Sequence, residues 1–151
     1  MSARVLAPQG FRQILAYFVG TLLAMSPLPA LAAENMYKPA CGDHLQRLGG
    51  KPAALRYLGC NQLLDEQGQP FEARYSVAGS QAQAIQDYLT VRFGMPPLRF
   101  ICCGWHGPPH SYRDGSGYGH VLSFHSDETL EKRWPQIERF HLSVRLYAED
   151  P

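Results

Sequence analysis

The chain has 151 residues, 45% of them hydrophobic and 18% charged, with four Cys and a formal net charge of +1. That length suits one domain and leaves little room for a second core. So balanced a charge supplies no basic field for general nucleic-acid binding, and the ordinary apolar share speaks against disorder.

Arg4 and Arg12 precede an apolar run, Ile14 to Met25, that is short for a bilayer span. Pro27 and Pro29 break the run, and Ala30-Leu31-Ala32-Ala33 then offers the small residues of a cleavage site. Together these read as a secretory signal over residues 1–33, followed by one exported domain over 34–151. In a Gram-negative cell that predicts the periplasm, with no membrane association after cleavage. Loss of Arg4 and Arg12 turns the net charge from +1 to −1. Cys41 lies well past the apolar run and lacks the sequence of a lipid-attachment box. All four cysteines fall in the exported part, and an even count there reads as two disulfides, worth about 2–4 kcal/mol each.

Along the exported part, Asp43 to Leu48 has room for one or two helical turns before Gly49-Gly50 and Pro52. Leu55 to Leu64 reads as a strand that Gly59 makes irregular, and residues 65–70 as a polar turn. Phe71, Ala73, Tyr75 and Val77 alternate with polar residues, a half-buried strand that should pair back as a hairpin. Ser80 and Gln83 suggest a capping box, with Ala82, Ile85, Leu89 and Phe93 on one helical face and Gly94 as the stop. Leu98 to Cys103 is a short apolar strand, and 104–118, with four Gly and two Pro, reads as a loop. Val121 to His125 is a strand. Ser126 or Asp127 is placed to cap a second helix that ends near Trp134, before Pro135. Phe140, Leu142, Val144 and Leu146 alternate through the last strand. The order β-β-α-β-β-α-β predicts a single α+β domain, disulfide-stapled, with two helices on one face of a mostly antiparallel sheet. The helix after the second strand should cross over right-handedly if the second and third strands run parallel.

The most unusual string is Cys102-Cys103-Gly104-Trp105-His106. Adjacent residues on a strand face opposite sides, so the two sulfurs should serve different partners, Cys41 and Cys60, in either combination. Cys102, Cys103, His106 and His110 have ligand-type side chains. Adjacent cysteines reach one ion with difficulty, however, and oxidation removes their thiolates. No metal and no cofactor is therefore expected, with weak binding by His106, His110 and His120 as the residual option. A thiol hydrolase would pair Cys103 with His120 or His125, yet Cys-Cys-Gly-Trp departs from the C-G-S-C-W pattern. Motifs of the G-x-S-x-G, H-E-x-x-H, Walker and G-x-G-x-x-G kinds do not occur. Catalytic residues are thus expected to be none.

What remains is the loop, which gathers Trp105, His106, His110, Tyr112, Arg113, Asp114 and Tyr118. Trp, Tyr and Arg dominate binding hot spots, so Trp105, His106, His110, Tyr112, Arg113 and Tyr118 are expected to form a partner-binding loop. The alternative is that Trp105 and Tyr112 fold back over the sheet.

Leu58-Gly59-Cys60, Tyr75-Ser76-Val77-Ala78-Gly79, Gly94-Met95 and Cys102-Cys103-Gly104-Trp105 resemble the motifs of a family of small exported bacterial proteins of unknown function. The likeness extends to Ser126-x-Glu128-Thr129 and the last strand. The resemblance implies one exported domain and brings no catalytic residues. A small exported domain without a catalytic constellation is expected to bind. The first expectation is an inhibitor or immunity protein blocking a periplasm-acting toxin, such as a cell-wall hydrolase or metallopeptidase delivered by type VI secretion. The rivals are a thiol-dependent enzyme using Cys102 or Cys103, and an envelope metal or small-ligand binder.

Overall fold

The computed structural model describes residues 38–148. Seven strands form one sheet: β1 (Arg56–Gln62), β2 (Phe71–Ala78), β3 (Arg99–Phe100), β4 (Trp105–His106), β5 (His110–Arg113), β6 (Gly119–Ser126) and β7 (Arg139–Tyr147). Their spatial order is β1-β2-β7-β6-β4-β3, with β5 also paired to β6, and every pairing is antiparallel. Two helices, α1 (His44–Arg47) and α2 (Gly79–Phe93), complete the α+β fold. No helix among the described residues is long and apolar enough to cross a membrane. The expected signal segment, 1–33, lies outside the described residues.

The period-2 pattern places the core. Ala73, Tyr75 and Val77 of β2, Leu122 and Phe124 of β6, and Phe140, Leu142, Val144 and Leu146 of β7 are all buried on one face. Ala82, Ile85, Leu89 and Phe93 of α2 join them, as does Leu45 of α1. Tyr75 ties α1 to the sheet: its hydroxyl accepts from Leu45 N at 3.1 Å and donates to Asp43 Oδ1 at 2.9 Å. Burial pushes the Tyr75 phenol far above its ordinary range, which keeps this hydroxyl a donor.

Irregularities sit where the residue types dictate. The β1–β2 register shifts between Tyr57 and Gly59, and Gly59 supplies the positive φ of that bulge. Pro108 and Pro109, lacking N–H groups, separate β4 from β5, which otherwise run along the same side of β6. Gly94 ends α2 in the left-handed region, with Gly94 N donating to Thr90 O and Met95 N to Leu89 O. Stepping across the antiparallel pairs leaves β2 and β3 pointing the same way at separate places in the sheet, joined by α2.

Three local expectations are corrected. The Ser80–Gln83 capping box does not form, because α2 begins at Gly79 behind Ala78 and has no side-chain cap. The helix expected after Ser126 is also absent; only a 3₁₀ turn, Trp134–Gln136, follows. Ser126 Oγ is already engaged, accepting from Trp105 N at 2.9 Å and donating to Asp127 O at 2.7 Å. Thr129 N donates to Cys103 O at 2.7 Å, and the Thr129 and Glu131 side chains accept from Glu131 N and Arg133 N. Backbone donors that a helix would use are thus satisfied otherwise, and Leu130 is 82% exposed.

The third correction concerns the disulfides. Cys41 pairs with Cys60, and Cys102 pairs with its neighbour Cys103. The cross-pairing argument assumed that 102 and 103 lie on a strand. β3 stops at Phe100, and both cysteines occupy the turn to β4, where Ile101 N donates to Gly104 O at 2.9 Å and Cys102 has φ +52°. Strand alternation therefore does not separate the sulfurs.

Gly79 gives a prediction with a reversed sign. At the start of a helix Ala normally outperforms Gly by up to about 1 kcal/mol. Here a Cβ would run into the backbone carbonyls of Trp134 and Ile137. Gly79→Ala is expected to lower stability by about 1–3 kcal/mol, read by urea unfolding; a stabilised variant would contradict the close approach of α2 to the 3₁₀ turn.

Candidate binding surface

Side chains that alternate away from the core make the sheet's second face, and it is polar. Following the register across it gives one rung: Arg99 of β3, His106 of β4, His125 of β6, His141 of β7, Ser76 of β2 and Arg56 of β1. The imidazoles stack, His106 on His125 with centroids 6.2 Å apart and His125 on His141 at 5.5 Å. Asp127 accepts from His141 Nε2 at 2.8 Å. Farther along, Arg145 bridges Glu72 at 2.9 Å and Glu66 at 2.7 Å. Between these groups lies an open cleft of about 680 Å³, lined by Arg74, Ser123, His125, His141, Ser143 and neighbouring residues.

The β3–β4 turn adjoins the histidine row. Ile101 is 56% exposed, and Cys102 and Cys103 are exposed beside it. Gly104 is closely surrounded here: a Cβ would come within 3.3 Å of both Asp127 O and Ser126 Oγ and within 2.7 Å of His106 Nε2, so the exposed His106 ring would have to turn aside. A vicinal disulfide and an apolar side chain are thereby presented together at the sheet's corner.

The residues expected to form one binding loop divide between the two sides. Trp105 is half-buried edge-to-face against Phe100 and Trp134, at 5.7 and 5.2 Å. Tyr112 packs on Phe93 at 5.0 Å, and His110 Nε2 donates to Phe93 O at 2.7 Å. These three cover the core. His106 and Arg113 point outward, with Arg113 donating to Gly117 O. Tyr118 is half-buried, and its N–H goes to Asp114, whose carboxylate organises the β5–β6 turn. His106, His110 and His120 do not converge, since His120 is buried on the core side against Asp114 Oδ2 at 2.9 Å. The dyads drawn from Cys103 lack a thiol, because Cys103 is bonded to Cys102. His125, His141 and Asp127 were missed as a group; only their shared outward phase on two strands hinted at it.

The interior holds a second histidine pair. His44 Nε2 donates to Phe71 O at 2.9 Å, and its ring lies 6.4 Å from that of His120. Burial lowers the His44 pKa, with smaller contributions from His120 and Arg47, against the pull of the Phe71 carbonyl and Asp43. Burial opposes the charge of Asp114, yet its bonds from His120, Tyr118 N and Ser116 N outweigh burial and hold the carboxyl below its usual range. A histidine whose folded pKa is depressed contributes stability that is full above its unfolded pKa near 6.5 and is lost as pH falls through the folded value. The Asp114 contribution is lost only at lower pH, in the carboxylate range. The melting temperature is therefore expected to fall from pH 7.5 towards pH 5, before the carboxylates titrate. His44→Gln, which keeps a donor for Phe71 O, should flatten that slope; an unchanged slope would contradict the role of His44.

The architecture defines a small, disulfide-bonded α+β domain whose single sheet is covered by helices on one side. Residues 31–105 match a family described as a domain of unknown function, DUF4952. The Leu-Gly-Cys, Tyr-x-Val-x-Gly, Gly-Met and Cys-Cys-Gly-Trp motifs all fall inside that match, which confirms the resemblance to a family of unknown function. No curated protein and no solved structure matches the chain.

Proposed function

We propose that this chain is an exported, periplasmic binding protein that blocks a protein partner sterically. The partner would be a toxin acting in the periplasm, such as a cell-wall hydrolase or metallopeptidase delivered by type VI secretion, and the chain its inhibitor or immunity protein. The observation that supports this most is the one-sided sheet. Its polar second face, among the described residues, carries no helix, and the Ile101–Cys103 turn stands at its corner. Two disulfides suit an oxidising compartment. Trp105 and Tyr112 cover the core, so the contact residues in this reading are Ile101, the vicinal disulfide and His106. In this reading the turn enters the partner's cleft while the polar face meets its rim.

The test is affinity capture by the oxidised protein from envelope and secreted fractions supplemented with the products of neighbouring genes. One stoichiometric hydrolase or peptidase, inhibited when the purified protein is added back, is the expected result. Absence of any such partner, or a partner whose activity is unchanged, would overturn the reading.

The exposed vicinal disulfide favours a second reading, thiol–disulfide exchange at Cys102–Cys103. It requires that a dithiol reduce this bond reversibly while Cys41–Cys60 stays intact, and that the dithiol form transfer its electrons to a disulfide substrate. Counting two thiols after mild reduction, with measurable turnover, would move the assignment to an oxidoreductase.

A further inference from the structure

A second rung crosses the middle of the open face: Gly59 of β1, Arg74 of β2, Ser143 of β7 and Ser123 of β6. Arg74, Ser143 and Ser123 line the cleft of about 680 Å³, between the His125–His141 pair and the Glu72–Arg145 pair. The charges on both flanks are already neutralised. Arg145 bonds Glu72 at 2.9 Å and Glu66 at 2.7 Å, and Asp127 accepts from His141 Nε2 at 2.8 Å. Arg74, by contrast, is exposed and has no ion-pair or hydrogen-bond partner among the described residues. The Ser143 and Ser123 hydroxyls have none among them either. An uncompensated guanidinium directly opposite an unused hydroxyl offers donors to an anion, and its planar fork matches a carboxylate.

The same cleft offers acceptors. His125 Nδ1 donates to Ser126 O at 3.0 Å, so Nε2 of the neutral ring keeps its lone pair. His141 donates from Nε2 to Asp127, so its Nδ1 keeps one too. Both rings line the cleft, and neither lone pair has a partner among the described residues. Leu58, 43% exposed, adds an apolar wall, and Gly59 leaves open space at the β1 end, where a Cβ would meet nothing within 4 Å. From this set we infer that the cleft binds a small hydroxylated carboxylate of the sugar-acid class. Arg74 takes the carboxylate, with Ser143 and Ser123 donating to it. His125 and His141 accept from ligand hydroxyls with their rings stacked and their bonds to Ser126 and Asp127 kept. Leu58 meets the ligand's carbon skeleton. The cleft volume lies in the range of about 300–1,000 Å³ usual for small-molecule sites. This site goes beyond the partner-blocking reading and does not rest on it.

The test is calorimetric titration of glucuronate into the full chain with disulfides intact, at pH 7.5, beside glucose, which lacks the carboxylate, and acetate, which lacks the hydroxyls. One saturable equivalent of glucuronate is expected, with glucose and acetate each at least about tenfold weaker. Arg74→Gln should weaken glucuronate at least about tenfold through loss of the charge-assisted pair. Arg74 is exposed, so this variant should fold as the parent does. Arg99→Gln, which removes an exposed cation outside the cleft, should bind as the parent does. No saturable uptake of glucuronate, parent-like uptake by Arg74→Gln, an equal loss in Arg99→Gln, or glucose or acetate binding as tightly as glucuronate would overturn the site.

Discussion

Phe140→Ala is expected to lower stability by about 3–5 kcal/mol, through lost transfer energy and the cavity left behind. Phe140 is fully buried at the middle of the sheet, opposite Val77 on β2 and Ser126 on β6. Its ring meets Phe124 at 5.6 Å and Trp134 at 5.0 Å, and Trp134 in turn leans on Trp105. One deletion therefore unseats an aromatic chain that runs from the core to the β4 strand. Denaturant unfolding should show a lower midpoint with an unchanged slope. Leu130→Ala, at an 82% exposed position, should stay within about 0.5 kcal/mol of the parent. Equal losses at the two positions would contradict the packing described.

The second large effect separates the two disulfides. Cys41–Cys60 closes a separation of 19 residues, and its removal by Cys41→Ser with Cys60→Ser is expected to lower stability by about 3 kcal/mol. It joins the segment before α1 to the edge strand β1, and Cys60 Sγ lies 4.0 Å from His44 Nε2. Cys102–Cys103 spans a separation of one and constrains almost nothing in the unfolded chain. Cys102→Ser with Cys103→Ser should change stability by less than about 1 kcal/mol. Urea unfolding of both pairs checks this; a larger loss from the 102–103 pair would show that the turn, rather than the long-range bridge, staples the fold.

Much of the fold was legible because periodicity reports directly on burial. The alternation in β2 and β7 and the Ala82-Ile85-Leu89-Phe93 face of α2 are set by the side chains themselves. Gly59 and Gly94 marked their bulge and helix end because no other residue takes those backbone angles cheaply. The segment after Ser126 was misread because its helix signals are competed away by partners distant in sequence, Cys103 O and Trp105 N. The disulfide pairing was misread for a related reason: strand alternation applies only while the strand lasts, and β3 is two residues long.

The candidate binding surface was the least legible part. Trp105 and Tyr112 drew attention by residue type, whereas pairing register decides which side they face. His106, His125 and His141 are separated by 19 and 16 positions in sequence and become neighbours only when β4, β6 and β7 align. Outward polar residues on a strand carry no mark of which strand will lie beside them.

In the proposed reading, this domain binds through the corner and open face of its sheet. That binding is tested most directly by titrating the captured partner against the parent protein, Ile101→Asp and Val91→Glu. Ile101 stands on the β3–β4 turn, while Val91 is 87% exposed on α2, on the covered side. The account predicts that Ile101→Asp weakens binding by at least about tenfold, or 1.4 kcal/mol, and that Val91→Glu leaves it unchanged. Parent-like binding by Ile101→Asp together with loss in Val91→Glu would place the interface on the helical side and contradict it.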